Sequence, residues 1–203
     1  ARSHDVSIIE DDAYGQLRAN PITPIAALAP ERTWHVASLS KIISPAMRIA
    51  YLRAPSVRDA WRLAADVHET TVMAPPLNIA VATQWLADGT WATLVDEVRA
   101  ECTARQAIAA SILPRGSYLA DGEGYHLWVP VGPEIAVSGL VSALRPTGLS
   151  VVSSDAFEVD RAGQAPALRV SIGGGQDRDQ LARGLAMLDA LLHHRGSRSS
   201  PLV

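Results

Sequence analysis

Cysteine is almost absent from this 203-residue chain: Cys102 stands alone, so there is no intrachain disulfide framework and no cysteine-rich zinc site, which fits a reducing cytoplasm. Cys102 falls in a helical pattern and is expected only to pack. No apolar run reaches about 18 residues, and the opening ARSHDVSIIEDD lacks the basic-then-apolar layout of a signal peptide, so neither secretion nor a membrane span is expected. Positive charge is not in excess either. A formal net charge of -3 leaves no electrostatic footprint for nucleic acid or anionic membrane within these residues, because phosphate binding needs clustered cations. The most informative scarcity is lysine: Lys41, in SLSKIISPAMR at 38–48, is the only lysine among 18 Lys and Arg residues. Arginine stays protonated at ordinary pH, whereas a lysine amine can lose its proton and act as a nucleophile. A lone lysine is by itself an ordinary surface residue, and its neighbours decide the matter.

With 48% hydrophobic and 19% charged residues, the chain can bury a sizeable core as one large or two small domains. Three short apolar runs, VSII at 6–9, TWHVAS at 33–38 and MRIAYLRA at 47–54, are each followed by polar or Pro-containing turns. They read as strands buried on both faces, as in a parallel sheet. The first run starts so near residue 1, with no leading helix or cap, that the chain is expected to be part of a longer protein. From Ser56 to Leu113 the pattern is helical: Ser56 can cap a first helix carrying Val57, Ala60, Trp61 and Ala64, PPLNIAVATQWL can start a second at its prolines, and WATLVDEVRAECTARQAIAASIL makes a long third. Pro114 and Gly116 end it. A mixed α+β region follows, with strands at 124–131, 149–154 and 167–173 and helices near 133–144 and 177–194. The polar ending RGSRSSPLV reads as a frayed tail. The expected division is therefore 1–70, a helical bridge at 71–113, a small α+β domain at 114–195 and a tail at 196–203.

In open parallel sheets, functional groups gather just beyond the carboxyl ends of the strands. SIIEDDAYG places Glu10, Asp11, Asp12 and Tyr14 after the first apolar run, and Ser38, Ser40 and Lys41 follow the second. Several chemistries share such pieces. A P-loop nucleotidase requires G-x-x-x-x-G-K-[ST], yet the lysine follows ASLS. Ser38-x-x-Lys41 matches the S-x-x-K pair of serine β-lactamases, but their S-D-N and K-T-G elements are missing. A carboxylate metal centre has no histidine at ligand spacing, since His193 and His194 are adjacent in a terminal helix. GGGQDRD at 173–179 is similar to a phosphate-cradling loop and reads more simply as a flexible turn. Trp34, Trp61, Trp85, Trp91 and Trp128 read as core or interface packing, and Arg48 and Arg169 alone would read as structural ion pairs within strand patterns.

The combination of a carboxylate with tyrosine three residues later, S-x-S-K, an arginine seven residues after the lysine and a late arginine in ALRVSIG resembles the second half of the fold-type I pyridoxal-phosphate-dependent enzymes, the aspartate aminotransferase superfamily, from about Val6 to His194. The resemblance implies an α/β fold: the C-terminal part of a fold-type I transferase, with a partial, mostly parallel large-domain sheet, a helical bridge and a small α+β domain. It implies pyridoxal 5'-phosphate as cofactor. Lys41 would form the Schiff base with its aldehyde, helped to shed a proton by burial and nearby cations. Asp11 would pair with the pyridine nitrogen so that the ring can accept electrons, with Glu10 or Asp12 as its solvated or structural neighbours, and Tyr14 would bond the phenolic oxygen. Ser38, Ser40 and Arg48 would hold the phosphate, and Arg169 the α-carboxylate of an amino acid. The family's glycine-containing phosphate loop, ring-stacking aromatic and asparagine have no match in this chain, so a partner chain or a missing segment is expected to complete the site, and a homodimer is expected.

Within the superfamily, WLADGTW, EGYHLWVPV and VVSSDAF are most similar to the C-terminal domain of MocR/GntR-type transcriptional regulators. On that resemblance the domain would sense an amino acid or related amino compound, and DNA would be met only through an upstream winged-helix domain outside this chain. The other reading is a free-standing aminotransferase passing an amino group between an amino acid and a 2-oxo acid.

Overall fold

In the computed structural model, which describes residues 1–159 and 165–196, the three apolar runs of the first seventy residues join in one small sheet. Strand β1 (Ile8–Asp11) leads through a 3-10 turn at Gly15–Leu17 and the short helix α1 (Ile25–Leu28) to β2 (Thr33–Ser38), which pairs with it in parallel. The chain then folds back through a 3-10 turn at Pro45–Met47 into β3 (Ala50–Arg53), antiparallel to β2. One of the two pairings is thus antiparallel, where a mostly parallel sheet was expected. A parallel partner needs a crossover of a dozen or more residues, and the link between β2 and β3 is instead a turn closed by the Leu39 N–H donating to the Ile49 carbonyl at 3.1 Å.

The strands are also less buried than their apolar composition implies. β1 alternates half-buried and exposed residues, and β3 is exposed throughout. Ile9 is 78% exposed. These strands have the composition of a sheet covered on both faces, and the described residues cover only part of it.

Helix α2 (Val57–Thr71) starts at the cap expected from the sequence: Ser56 Oγ accepts the Asp59 N–H at 3.1 Å while its hydroxyl donates to Asp59 Oδ2. Such a cap contributes about 1 kcal/mol. None of the residues of α2 is buried, and Trp61 is 74% exposed, so of the core or interface packing expected of this tryptophan the core role is not observed. Helix α3 (Pro76–Asp88) begins at its proline, which has no N–H to leave unpaired, and ends on Gly89 at φ 84°. Trp91 packs beside a cluster of Leu39, Ile49 and Ala82.

The chain divides into two compact units, Ala1–Arg99 and Ala100–Val203, and α4 (Thr90–Ile112) begins in one and ends in the other. The second unit holds a four-stranded antiparallel sheet in the order β4-β5-β7-β6, from β4 (Leu119–Ala120), β5 (His126–Pro130), β6 (Ser150–Ser153) and β7 (Ala167–Ser171). Helices α5 (Val137–Leu144) and α6 (Arg178–Gly196) supply Leu140, Leu144, Leu181 and Leu185, which pack with Leu127, Val129, Leu168 and Val170 in a closed core. Each such side chain contributes about 1.5–3 kcal/mol of burial. Cys102 is buried, and burial pushes its thiol up, as suits a packing residue. The tail expected at 196–203 lies, beyond Gly196, outside the described residues.

The GGGQDRD turn is tied to α4 through Arg105. Arg105, itself buried, donates from Nη1 to the Ile172 carbonyl at 2.8 Å and the Gly174 carbonyl at 3.2 Å, and from Nη2 to the Gln176 carbonyl at 2.8 Å. Asp177 and Gln180 cap α6 reciprocally, so the first turn of this helix already has an acceptor in the chain. Among the described residues no helix is long and apolar enough to cross a membrane, and no cluster of His, Cys, Asp and Glu suits a metal ion.

Candidate functional site

The parallel pairing of β1 with β2 brings both carboxyl ends to one end of the sheet, and the reversal into β3 returns there. Asp11 is aligned with Val36, the Asp12 N–H donates to the Val36 carbonyl at 2.9 Å, and Ser38 is aligned with Ala50. The Leu39–Ile49 bond sets the turns bearing Ser40 and Lys41 beside the one bearing Arg48. Asp11, Tyr14, Ser38, Ser40, Lys41 and Arg48 therefore share one end of the sheet.

The three consecutive acids do different work because alternate residues of a strand face opposite ways. Glu10 faces α1, and its two carboxylate oxygens accept the Ile25 and Ala26 N–H groups at 2.7 and 2.8 Å, satisfying the first donors of that helix. Asp12 faces the same side, with Oδ2 3.0 Å from His35 Nε2. Asp11 faces the other side, exposed, and its carboxylate has no hydrogen bond or ion pair among the described residues. Of the three, it is the acid left able to meet a ligand. Tyr14 follows three residues on, 42% exposed at the entry to the Gly15–Leu17 turn.

Lys41 sits on a tight turn held by hydrogen bonds from the Ile42, Ile43 and Ser44 N–H groups to the Leu39 carbonyl, with Leu39 and Ile42 buried on either side of it. Lys41 itself is exposed, so the burial expected around this amine is not provided by these residues. Ser38 Oγ accepts the Ser40 N–H at 3.2 Å, which fixes the two hydroxyl-bearing residues relative to each other.

Arg48 is not inside a strand, as the pattern suggested, but caps the Pro45–Met47 turn in the left-handed region at φ 52°. A non-glycine residue there costs about 1 kcal/mol, and such strain concentrates at functional sites. Its guanidinium has no hydrogen bond or ion pair among the described residues. Asn78 escaped the sequence reading. From α3 its Nδ2 donates to the carbonyls of Ala46 at 3.2 Å and Met47 at 2.9 Å, pinning the turn that presents Arg48. An asparagine inside a helix, where its propensity is poor, was the available signal.

Arg169 belongs to the second unit. It lies on β7, aligned with Trp128 and Val152 of the neighbouring strands, and its guanidinium carbon stands 4.8 Å from the Phe157 ring centroid. Its Nε is buried without a hydrogen-bond partner, and the side chain forms no ion pair among the described residues. Among the described residues, the structural ion pair that an isolated strand arginine would suggest is thus not found at Arg169 or at Arg48. An unmatched guanidinium donor in such a setting is costly unless an anion or water meets it.

No family model matches the chain. Among curated proteins it is similar to HTH-type transcriptional regulators, although the function of two of these is itself uncharacterised: YdeF of Bacillus subtilis is 22% identical over 191 residues, covering 94% of this chain and 41% of that protein. YisV of the same organism is 28% identical over 146 residues, covering 68% and 30%. Over a shorter stretch of 58 residues, 28% of this chain and 13% of the relative, it is 40% identical to the HTH-type pyridoxine biosynthesis transcriptional regulator PdxR of Corynebacterium glutamicum. The chain spans about two-fifths of the length of YdeF and less of the others. Among solved structures it is similar to the kynurenine aminotransferase of Pyrococcus horikoshii, with a TM-score of 0.79 at 20% identity, covering 99% of this chain and 50% of that one. LysN, an α-aminoadipate aminotransferase of Thermus thermophilus complexed with N-(5'-phosphopyridoxyl)-L-leucine, gives 0.80 at 22%, covering 97% and 52%.

Proposed function

We propose, for a chain that has the fold of the carboxyl-terminal half of the fold-type I pyridoxal-phosphate-dependent aminotransferases and is similar in sequence to HTH-type regulators, that it is the cofactor-binding and effector-sensing part of a MocR/GntR-type transcriptional regulator. The observation that carries the reading is the division of labour among Glu10, Asp11 and Asp12. Two of the acids are engaged by the chain itself, and the third is left open beside the turn that bears the only lysine.

The donor set suits pyridoxal phosphate. The guanidinium of Arg48, which has no partner among the described residues, and the hydroxyls of Ser38 and Ser40 are groups a phosphate seeks. The Asp11 carboxylate suits a protonated pyridine nitrogen, Tyr14 a phenolic oxygen, and Lys41 the aldehyde. When bound, the cofactor supplies an electron-accepting ring conjugated to a carbonyl that amines can engage. The chain's own residues do the rest: Asp11 holds a proton at the ring nitrogen, Arg48 and the serines anchor the phosphate, and Lys41 is the carrier amine. Arg169 receives the carboxylate of an amino acid or related amino compound, since a planar fork matches a planar acid.

Homodimerisation, a cytoplasmic location and DNA contact through an upstream helix-turn-helix domain belong to the same reading. The regulator relatives favour sensing, and the aminotransferase structures keep a second reading in view, a free-standing enzyme that passes the amino group to a 2-oxo acid. Titrating the full-length protein with pyridoxal phosphate and then with a panel of amino acids and 2-oxo acids separates the two. A sensor changes its visible spectrum and its grip on DNA without consuming the amino acid, whereas an aminotransferase yields a new 2-oxo acid.

A further inference from the structure

We propose that His35 and Gly15 are positioning residues which act through the Asp12 carboxylate to fix the turn that presents Asp11 and Tyr14. The proposal rests on the cofactor reading above and deepens it.

The register puts Glu10 opposite His35, so His35 lies on the face of the sheet that Asp12 shares and Asp11 does not. His35 Nε2 and Asp12 Oδ2 are 3.0 Å apart, with the two side chains 20% and 32% exposed. On its other side the same carboxylate lies against Gly15. A Cβ built there would overlap Asp12 Oδ1 and stand 2.6 Å from Asp12 Cγ, a distance that real Cβ atoms do not show. Gly15 is not in the left-handed region, so the backbone does not demand glycine at this position; what a Cβ would meet is the Asp12 carboxylate, which would have to shift to admit it. The imidazole and the bare Cα thus clamp one carboxylate between them.

The far end of the turn is tied down independently. Trp91 Nε1 donates to Gln16 Oε1 at 2.9 Å, Arg99 donates to the Gln16 carbonyl at 2.6 Å and the Arg18 carbonyl at 3.0 Å, and Leu17 is buried. Tyr14 sits between these two anchors, and Asp11, the last residue of β1, immediately precedes the first. Loosening the Asp12 anchor should therefore release both functional side chains together, without touching either.

The test is a double-mutant cycle in the full-length protein, reading amide hydrogen exchange over residues 12–17 and the affinity for added pyridoxal phosphate. Gly15→Ala and Asp12→Ala are each expected to speed exchange in this segment and to weaken cofactor binding roughly tenfold. Their combination is expected to be no worse than Asp12→Ala alone, because removing the carboxylate makes room for the new methyl group. His35→Ala is expected to behave like Asp12→Ala, and His35→Gln, which keeps a donor near the Nε2 position, to restore most of the affinity. If Gly15→Ala does not fold, the His35 pair carries the same comparison. Additive losses in the cycle, or exchange and affinity that stay at parental values in His35→Ala, would overturn the proposal. Binding by the parent protein that is unchanged in Lys41→Ala instead refutes the cofactor reading, and the positioning role falls with it. Lys41-dependent binding that ignores His35 and Gly15 refutes the positioning role alone.

Discussion

Asn78 Nδ2 reaches from α3 to the Met47 carbonyl at 2.9 Å, one residue before the left-handed Arg48, and so ties the helix to the turn that carries the proposed phosphate ligand. A bond between side chain and backbone of this kind contributes about 1 kcal/mol net, and Asn78 makes two. Asn78→Ala is therefore expected to weaken pyridoxal phosphate binding roughly tenfold while leaving the much weaker binding of pyridoxal, which has no phosphate, unchanged. Equal losses for both ligands, measured by titration, would show that Asn78 holds the fold and not the anion.

Arg48 itself sets stability against function. Glycine adopts φ 52° without a Cβ penalty, so Arg48→Gly is expected to leave the thermal midpoint equal or slightly raised while phosphate-dependent affinity is lost. A midpoint that falls by several degrees would mean that the guanidinium has a structural partner in the full-length protein.

The second unit should show an acid-sensitive step traceable to one carboxylate. Arg178 and Arg105, hydrogen-bonded to Glu101, lower its pKa from an ordinary 4.5 to about 2. A depressed carboxylate stabilises the folded form above its unfolded pKa, and that contribution fades as pH falls from about 4.5 towards about 2. Glu101 is partly exposed, so solvent screening makes the effect modest. Glu101→Gln should flatten stability across this window as followed by denaturant unfolding, and an unchanged slope would contradict the assignment.

Arg105 is the larger structural contributor, since its buried guanidinium holds three carbonyls around the GGGQD turn. Arg105→Ala is expected to destabilise the protein by about 3 kcal/mol, because those carbonyls lose a charged donor. Arg105→Lys should recover only part of this, as an ammonium cannot span the same fork of acceptors.

Much of this was readable from residue order alone, for identifiable reasons. The run TWHVAS became β2 at the expected residues, Ser56 capped α2, and the strands and helices after Gly124 followed their apolar periodicity, because local propensity and burial agree in these elements. The direction of β3 was missed, since it depends on how the chain closes between Leu39 and Ile49 and no period records that. Which apolar side chains stand exposed, Ile9 and Trp61 among them, was not readable, because composition signals what a side chain prefers and not whether its cover lies within these residues. The roles of Glu10 and Asp12 depend on strand facing, and those of Asn78 and Arg105 on contacts made across the fold, so the motif EDD could not have separated them.

The central claim concerns a single nitrogen, and the scarcity of lysine makes it unusually easy to test. The full-length protein is incubated with pyridoxal phosphate, treated with borohydride to fix the cofactor to its carrier amine, digested and mapped by mass spectrometry. The account predicts a phosphopyridoxyl group on the peptide containing Lys41, and no such modification within residues 1–203 of Lys41→Ala. A Lys41 peptide that stays unmodified in protein with bound cofactor, or a visible absorbance band that persists in Lys41→Ala, would contradict it.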